Sequence, residues 1–380
     1  MFHSIVNSDG PKVIVNCGSG GVGKTTISAA IGLMGALSGK KTIVLTIDPA
    51  RRLADAMGLA EFDADVQQVP LDKSPELPEP APGGELYAMM LESKRTFDDL
   101  VIRYAAPEIS KKILNNRYYQ YISNNMAGSH EYMAMEKLYE IYYQGAYDLI
   151  VLDTPPTRRA LDFLEAPQRM LNLLGHSFFW KLVKPYMKVS RWGFRMFNLM
   201  ASPILRGVGQ VVGKQVLKDL TGFFQVWDEM LYQGFRQRAE AVKTLLAGDE
   251  ALFFAISTPQ RLPMREAEFF WERLQANRMS FGGFVVNRVH ELSREAEETL
   301  IDEPVGGEIC RGASIDRHLH EKLAGVYQNL QQQAQSDAVA IRALSDKVGN
   351  PSKIRTLPLA EEAIMDLAGL YGLVLNLKAD

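Results

Sequence analysis

The chain has 380 residues, of which 47% are hydrophobic and 23% charged, and a net charge of −3. That suits one large or two ordinary soluble domains with a sizeable core, and it gives no global basic field, so nucleic acid is not expected as a partner. The two cysteines, Cys17 and Cys310, form no CxxC, which excludes a disulfide framework and argues against a cysteine zinc site within one chain.

Met1–Gly10 lacks the apolar run of a signal peptide. No window of about 18 uncharged apolar residues reads as a membrane span. The expectation is a cytoplasmic protein.

Lys12–Cys17 (KVIVNC) is β-branched and apolar and predicts a buried strand. Residues 18–25 fit G-x-x-x-x-G-K-[ST]. Thr25–Ser38 predicts a helix of small residues able to pack closely on a sheet, ended by Gly39, and Lys41–Ile47 predicts the next strand. Strand, loop, helix and strand in this order is the context that makes the motif informative.

Each loop residue has a physical task. Gly20, Gly21 and Gly23 let backbone N–H groups turn inward, and Val22 lies among them. The helix start presents its positive dipole end to the same anion. Lys24 is placed to pair with β- and γ-phosphates, Thr25 to coordinate Mg²⁺ and Thr26 to support the α-phosphate. The expected cofactors are therefore ATP and Mg²⁺.

Asp48 ends the second strand in Asp48-Pro49-Ala50 and is placed to orient an attacking water, although Asp-Pro is also a common turn pair. Pro70–Gly84 reads as an exposed loop. Tyr147–Asp153 (YDLIVLD) is an apolar strand ending in a carboxylate, where Asp153 can hold a Mg²⁺-bound water. A strand-end aspartate entering a Thr-Pro-Pro-Thr turn is the structural alternative. Leu86–Leu91, Ala251–Ser257, Gly283–Asn287 and Ile354–Leu359 read as further strands, and Glu321–Lys347 as a polar surface helix. Strands spaced by helical segments predict an α/β fold with a doubly wound, mostly parallel sheet.

With these segments in hand, the chain resembles the arsenite-pump ATPase family, which includes the ATPases that target tail-anchored membrane proteins and is related to partition ATPases. The resemblance rests on CGSGGVGKTT as a deviant phosphate loop, TIDPARRLADAMG and VLDTPPT as two switches, STPQRLPMREAEFFWERL with FVVNRV, and IRTLPLAEE. It implies phosphate and metal binding by Gly20 to Thr26, water activation by Asp48 and a place near the metal for Asp153. It further implies adenine contacts from Asn287 and Pro358 and dimerisation, with itself or with a paralogue. The alternatives for Asn287 and Pro358 are a strand-end asparagine in a turn and a proline that merely ends a strand.

Three departures stand out. Ser19 occupies the place of a lysine that reaches across a dimer in the family. The zinc-binding cysteine pair is absent, and so are the arsenite-binding cysteines. One phosphate loop makes the chain similar to one half of the duplicated pump ATPase. Arg51 and Arg52 after the first switch, and Arg158 and Arg159 after the second, are candidate arginine fingers. A solvated helix face is the other reading of Arg51 and Arg52.

The expected organisation is a core from residues 1–94, 146–157 and 247–380, with a helical subdomain from 95–145 and 158–246. Residues 166–218 carry nine basic residues and no acidic one, interleaved with seven phenylalanine, tyrosine and tryptophan residues and four methionines. That composition suits the subdomain's own core with a solvated rim, a groove for an apolar helix client, or an anionic membrane surface. The expected activity is a Mg-dependent ATPase switch that moves the helical part. The alternatives are a peripheral subunit energising a membrane anion transporter and a slowly hydrolysing, nucleotide-stabilised scaffold. The first two allow a location peripheral to a membrane.

Overall fold

The computed structural model describes Phe2 and residues 10–47, 52–59, 65–104, 107–116, 119–120, 123, 129–156, 233–291, 317–360 and 362–378. Asp48, Arg51, Arg158, Arg159 and the basic stretch 166–218 lie outside the described residues.

Among the described residues, eight strands form one sheet: β1 (Val13–Gly18), β2 (Lys41–Thr46), β3 (Gln67–Gln68), β4 (Glu85–Met90), β5 (Leu149–Asp153), β6 (Ala251–Ser257), β7 (Phe281–Val289) and β8 (Ile354–Pro358). Their order is β3-β4-β2-β5-β1-β6-β7-β8. All neighbours run parallel except β3 and β4. The strands expected from apolar runs are present to within two residues at each end. The two-residue β3 was not foreseen, because Gln67-Gln68 carries no apolar signal.

Helices cover both faces, as a parallel sheet with apolar strands requires. On one face lie α1 (Lys24–Leu37), α2 (Arg52–Met57) and, near the C-terminus, α9 (Leu367–Lys378). Their Ile27, Ile31, Leu53 and Leu370 pack with Ile14, Val44 and Val151 of the strands. On the other face lie α3 (Ser93–Tyr104), α5 (Ser129–Gln144), α6 (Gln233–Ala247), α7 (Arg261–Ala276) and part of α8 (Arg317–Val348). Phe97, Leu138, Val242, Phe270 and Leu344 pack there with Val13, Val15, Leu45 and Leu152. The short α4 (Pro107–Leu114) follows α3 and adds Ile113 to this core.

The helix α1 is the element that matters most for the site. It is short of bulk where it crosses the sheet: a Cβ on Gly32 would stand 2.3 Å from Val44, and one on Gly35 2.6 Å from Leu149. Small residues thus let the helix axis approach the strands. Burial of Ile27, Ile31 and Leu33, each fully enclosed, contributes about 1.5–3 kcal/mol per side chain. The helix stops where Gly39 takes φ 88° and its N–H and that of Lys40 return to the carbonyls of Ala36 and Gly35, a C-terminal cap that glycine adopts without strain.

Candidate active site

The loop 19–23 joins the carboxyl end of β1, the central switch point of the sheet, to the amino end of α1. Open parallel sheets bind ligands at this place. Its unpaired helix N–H groups and dipole favour an anion.

Beneath the loop runs a polar row across three adjacent strands. Register places Asn16 of β1 beside Asp153 of β5, and Asp153 beside Thr46 of β2. All three follow the alternation that sends Ile14, Val44 and Val151 into the α1-side core. All three are buried, Asp153 completely. The helix is pinned onto this row twice. Thr25 Oγ1 donates to Asp153 Oδ2 at 2.8 Å, and Asn16 Nδ2 donates to Ser28 Oγ at 2.8 Å. Thr46 Oγ1 gives a second hydrogen bond to the same Asp153 oxygen at 3.0 Å.

Thr25 and Asp153, expected as the metal pair, are thus brought together by the fold. The donor set fits Mg²⁺, a hard cation that takes oxygen ligands and keeps several waters. The Thr25 proton is committed to the carboxylate, so the hydroxyl's lone pairs face away from it and remain able to meet a cation. Among the described residues no group of three or more His, Cys, Asp or Glu gathers as a metal cage. A metal shared with nucleotide phosphates needs none.

Lys24 lies 8% exposed, and its ammonium donates to the Ser19 carbonyl at 2.9 Å. The lysine is therefore folded over its own loop. An ammonium has three donors, so a phosphate can be met from this position. The Ser19 hydroxyl oxygen is enclosed without a hydrogen-bond partner. Gly20 and Gly21 are exposed and Val22 is buried, its side chain in the α1-side core.

Gly23 has φ 94°, and a Cβ there would stand 2.4 Å from Asn287 Nδ2. That amide donates to the Val22 carbonyl at 2.9 Å, and Asn287 Oδ1 accepts from the backbone N–H of Arg288 at 2.9 Å. Arg288 itself has φ 59° at an irregularity in the β7–β8 pairing. Asn287 is therefore first a brace for the phosphate loop. One N–H and one lone pair of its amide remain for a base edge. Pro358 ends β8 on the same sheet edge, exposed and in register with Val289. Arg52 is exposed at the start of α2.

Asn16, Thr46 and Thr154 were not singled out from the sequence. Thr154 returns its N–H at 3.3 Å and its hydroxyl at 2.8 Å to the Asn16 carbonyl, anchoring the segment that follows β5 to β1. The available signal was a hydroxyl or amide at the last turn of an otherwise apolar strand. Cys17 lies on the opposite face of β1, buried, with its thiol pushed up to about 12 mainly by burial.

The sequence also has recognisable relatives among known proteins. The sequence profile of the family described as anion-transporting ATPase matches residues 11–300. A chain of Aquifex aeolicus named arsenical pump-driving ATPase 1 is 30% identical over 201 residues, 47% of this chain and 43% of that relative. ATPase ASNA1 homolog 2 of Paramecium tetraurelia is 26% identical over 301 residues, 76% of this chain and 79% of that one. ATPase get3 of Aspergillus terreus is 25% identical over 288 residues, 76% of each.

Proposed function

The chain belongs to the anion-transporting ATPase family and is an ATPase, and from that premise we propose that it is a Mg²⁺-dependent switch whose ATP cycle moves a helical part that handles an apolar or membrane-associated client. The observation that carries the reading is the 2.8 Å bond between Thr25 and Asp153. It joins the phosphate loop to the root of the second switch at the spot where metal and γ-phosphate would meet.

The residues divide the work as follows. Backbone N–H groups of residues 20–26 and the start of α1 hold the phosphates. Lys24 leaves or shares the Ser19 carbonyl to neutralise charge on the β- and γ-phosphates. Thr25 and, through water, Asp153 would hold Mg²⁺, which would supply positive charge against the transferred phosphoryl group. Asp48 orients the water. Asn287 braces the loop and, with Pro358, lies beside the base. Arg51 and Arg52 are the candidate fingers for the charge that Ser19 does not supply.

The client role is favoured over thiolate capture of a metalloid by one feature of this chain. Cys17 is buried and its thiol is held far above its ordinary range, whereas the soft-metal ligand is the thiolate. Among the described residues no helix is long and apolar enough to cross a membrane. Residues 166–218 carry the basic and aromatic composition that suits such a client. The protein would act in the cytoplasm or on a membrane surface, as a dimer with itself or a paralogue.

Light scattering with ADP and with a non-hydrolysable ATP analogue plus Mg²⁺ tests the switch. A change of mass or hydrodynamic radius with the analogue alone is expected, and no difference between the two nucleotides would sink the reading. Co-purification separates the roles. Soluble complexes with apolar helical segments support client handling, and a stable complex with a polytopic membrane protein supports the transporter subunit.

A further inference from the structure

We propose that Thr46 is a positioning residue for the metal-side carboxylate, one that refers the orientation of Asp153 to the sheet and ties it to the strand leading into the first switch. The inference rests on the reading of Asp153 as a Mg²⁺-side group.

Thr46 is the last residue of β2 and only 1% exposed. Its side chain sits on the α1 face, in the row that continues Val44. A hydroxyl buried at such a place costs free energy unless it is bonded. Thr46 Oγ1 donates to Asp153 Oδ2 at 3.0 Å, the oxygen that also accepts from Thr25 at 2.8 Å. The two donors come from different elements, one from the first turn of α1 and one from β2.

That difference gives Thr46 a role Thr25 does not have. The terminal torsion of an aspartate is broad, so its carboxylate orientation is set by partners. Asp153 is fully buried, so bulk water does not set it. A bond from Thr25 alone would let the carboxylate follow any movement of the phosphate loop and helix start. The Thr46 bond holds it against the strand instead.

The backbone makes the same link: the Ile47 N–H donates to the Asp153 carbonyl at 3.0 Å. The ends of β2 and β5, the roots of both switches, are thus joined by side-chain as well as main-chain hydrogen bonding. Asp48 follows Thr46 by two residues. The Asp153 carboxylate is therefore bonded to the strand end that leads, in sequence, to the candidate water-orienting aspartate.

The test is a Mg²⁺ titration of the full chain bound to a fluorescent ATP analogue, for wild type, Thr46→Val, Thr46→Ser and Asp153→Asn. Affinity for the analogue in EDTA and thermal melting are recorded alongside. Thr46→Val keeps the shape and removes the donor. It should raise the Mg²⁺ concentration for half-maximal tightening by about tenfold, the scale of a hydrogen bond to a charged group. Affinity in EDTA should stay at the wild-type value, and Thr46→Ser should titrate like wild type.

A wild-type titration for Thr46→Val beside a shifted one for Asp153→Asn overturns the proposal. So does an equal loss of affinity in EDTA, or a Thr46→Ser variant that behaves like Thr46→Val. If neither Asp153→Asn nor Thr46→Val moves the titration, the metal role of Asp153 itself fails and Thr46 falls with it. Should Thr46→Val not fold, Thr46→Ala supplies the same comparison against Thr46→Ser.

Discussion

The side-chain amide of Asn287, at the end of β7, donates to the backbone carbonyl of Val22 in the phosphate loop at 2.9 Å. One asparagine at a strand end thereby braces the phosphate loop, and its carbonyl is steadied by the N–H of Arg288. A hydrogen bond from a strand end stiffens a loop whose N–H groups must point at an anion before the anion arrives.

Asn287→Ala is expected to weaken ATP and GTP together, by about tenfold, because the Val22 carbonyl loses its donor and the loop its brace. Competition of each nucleotide against a fluorescent analogue measures the ratio. Loss of ATP affinity with GTP unchanged would assign Asn287 to reading the base and not to holding the loop.

Gly23 and Gly20 separate geometry from chemistry within one loop. Gly23 combines φ 94° with a Cβ position 2.4 Å from Asn287 Nδ2, whereas a Cβ on Gly20 meets nothing closer than 4.0 Å. Gly23→Ala should lower stability by roughly 1–3 kcal/mol through backbone strain and should also displace Asn287, so nucleotide binding is lost. Gly20→Ala should melt like wild type. Thermal melts of both variants without nucleotide decide the matter, and equal melting temperatures would refute it.

Glu136 on α5 meets Arg238 on α6 at 2.5 Å, with both residues buried. Burial pushes the Glu136 carboxyl up from 4.5 to about 7, against the opposing attraction of Arg238; Glu140 and Arg103 are the other charged neighbours. The folded protein therefore holds this proton to higher pH than the unfolded chain. The group's contribution to stability is full below about 4.5 and is lost as pH rises through about 7. Melting temperatures taken between about pH 5 and about pH 8 should fall more steeply for wild type than for Glu136→Gln. Identical slopes would place the carboxylate's titration outside this window.

Much of the fold was readable from local pattern. Val13–Cys17, Thr42–Leu45 and Leu149–Leu152 are apolar, partly β-branched runs, and such runs bury as central parallel strands almost wherever they fall. The spacing of Gly20, Gly23, Lys24 and Thr25 states the phosphate chemistry within eight residues, because a loop that wraps an anion is a local object. The composition of residues 70–84 likewise marked a loop between β3 and β4.

What only the tertiary structure decided are the relations between distant residues that no local rule contains. Thr25 reaches Asp153 across 128 positions, Thr46 reaches it across 107, and Asn287 reaches Val22 across 265. Taken alone, Thr46 is a threonine in a strand and Asn16 an asparagine in another. They become one polar row because β5 inserts between β1 and β2 with a register that sets Asn16, Asp153 and Thr46 side by side. The sequence by itself determined that a phosphate loop stands at the edge of a parallel sheet, since hydrophobic periodicity and glycine spacing are short-range properties. Strand order and register, which arise from packing the whole sheet, decided which carboxylate the loop's threonine faces and which hydroxyl holds that carboxylate in place.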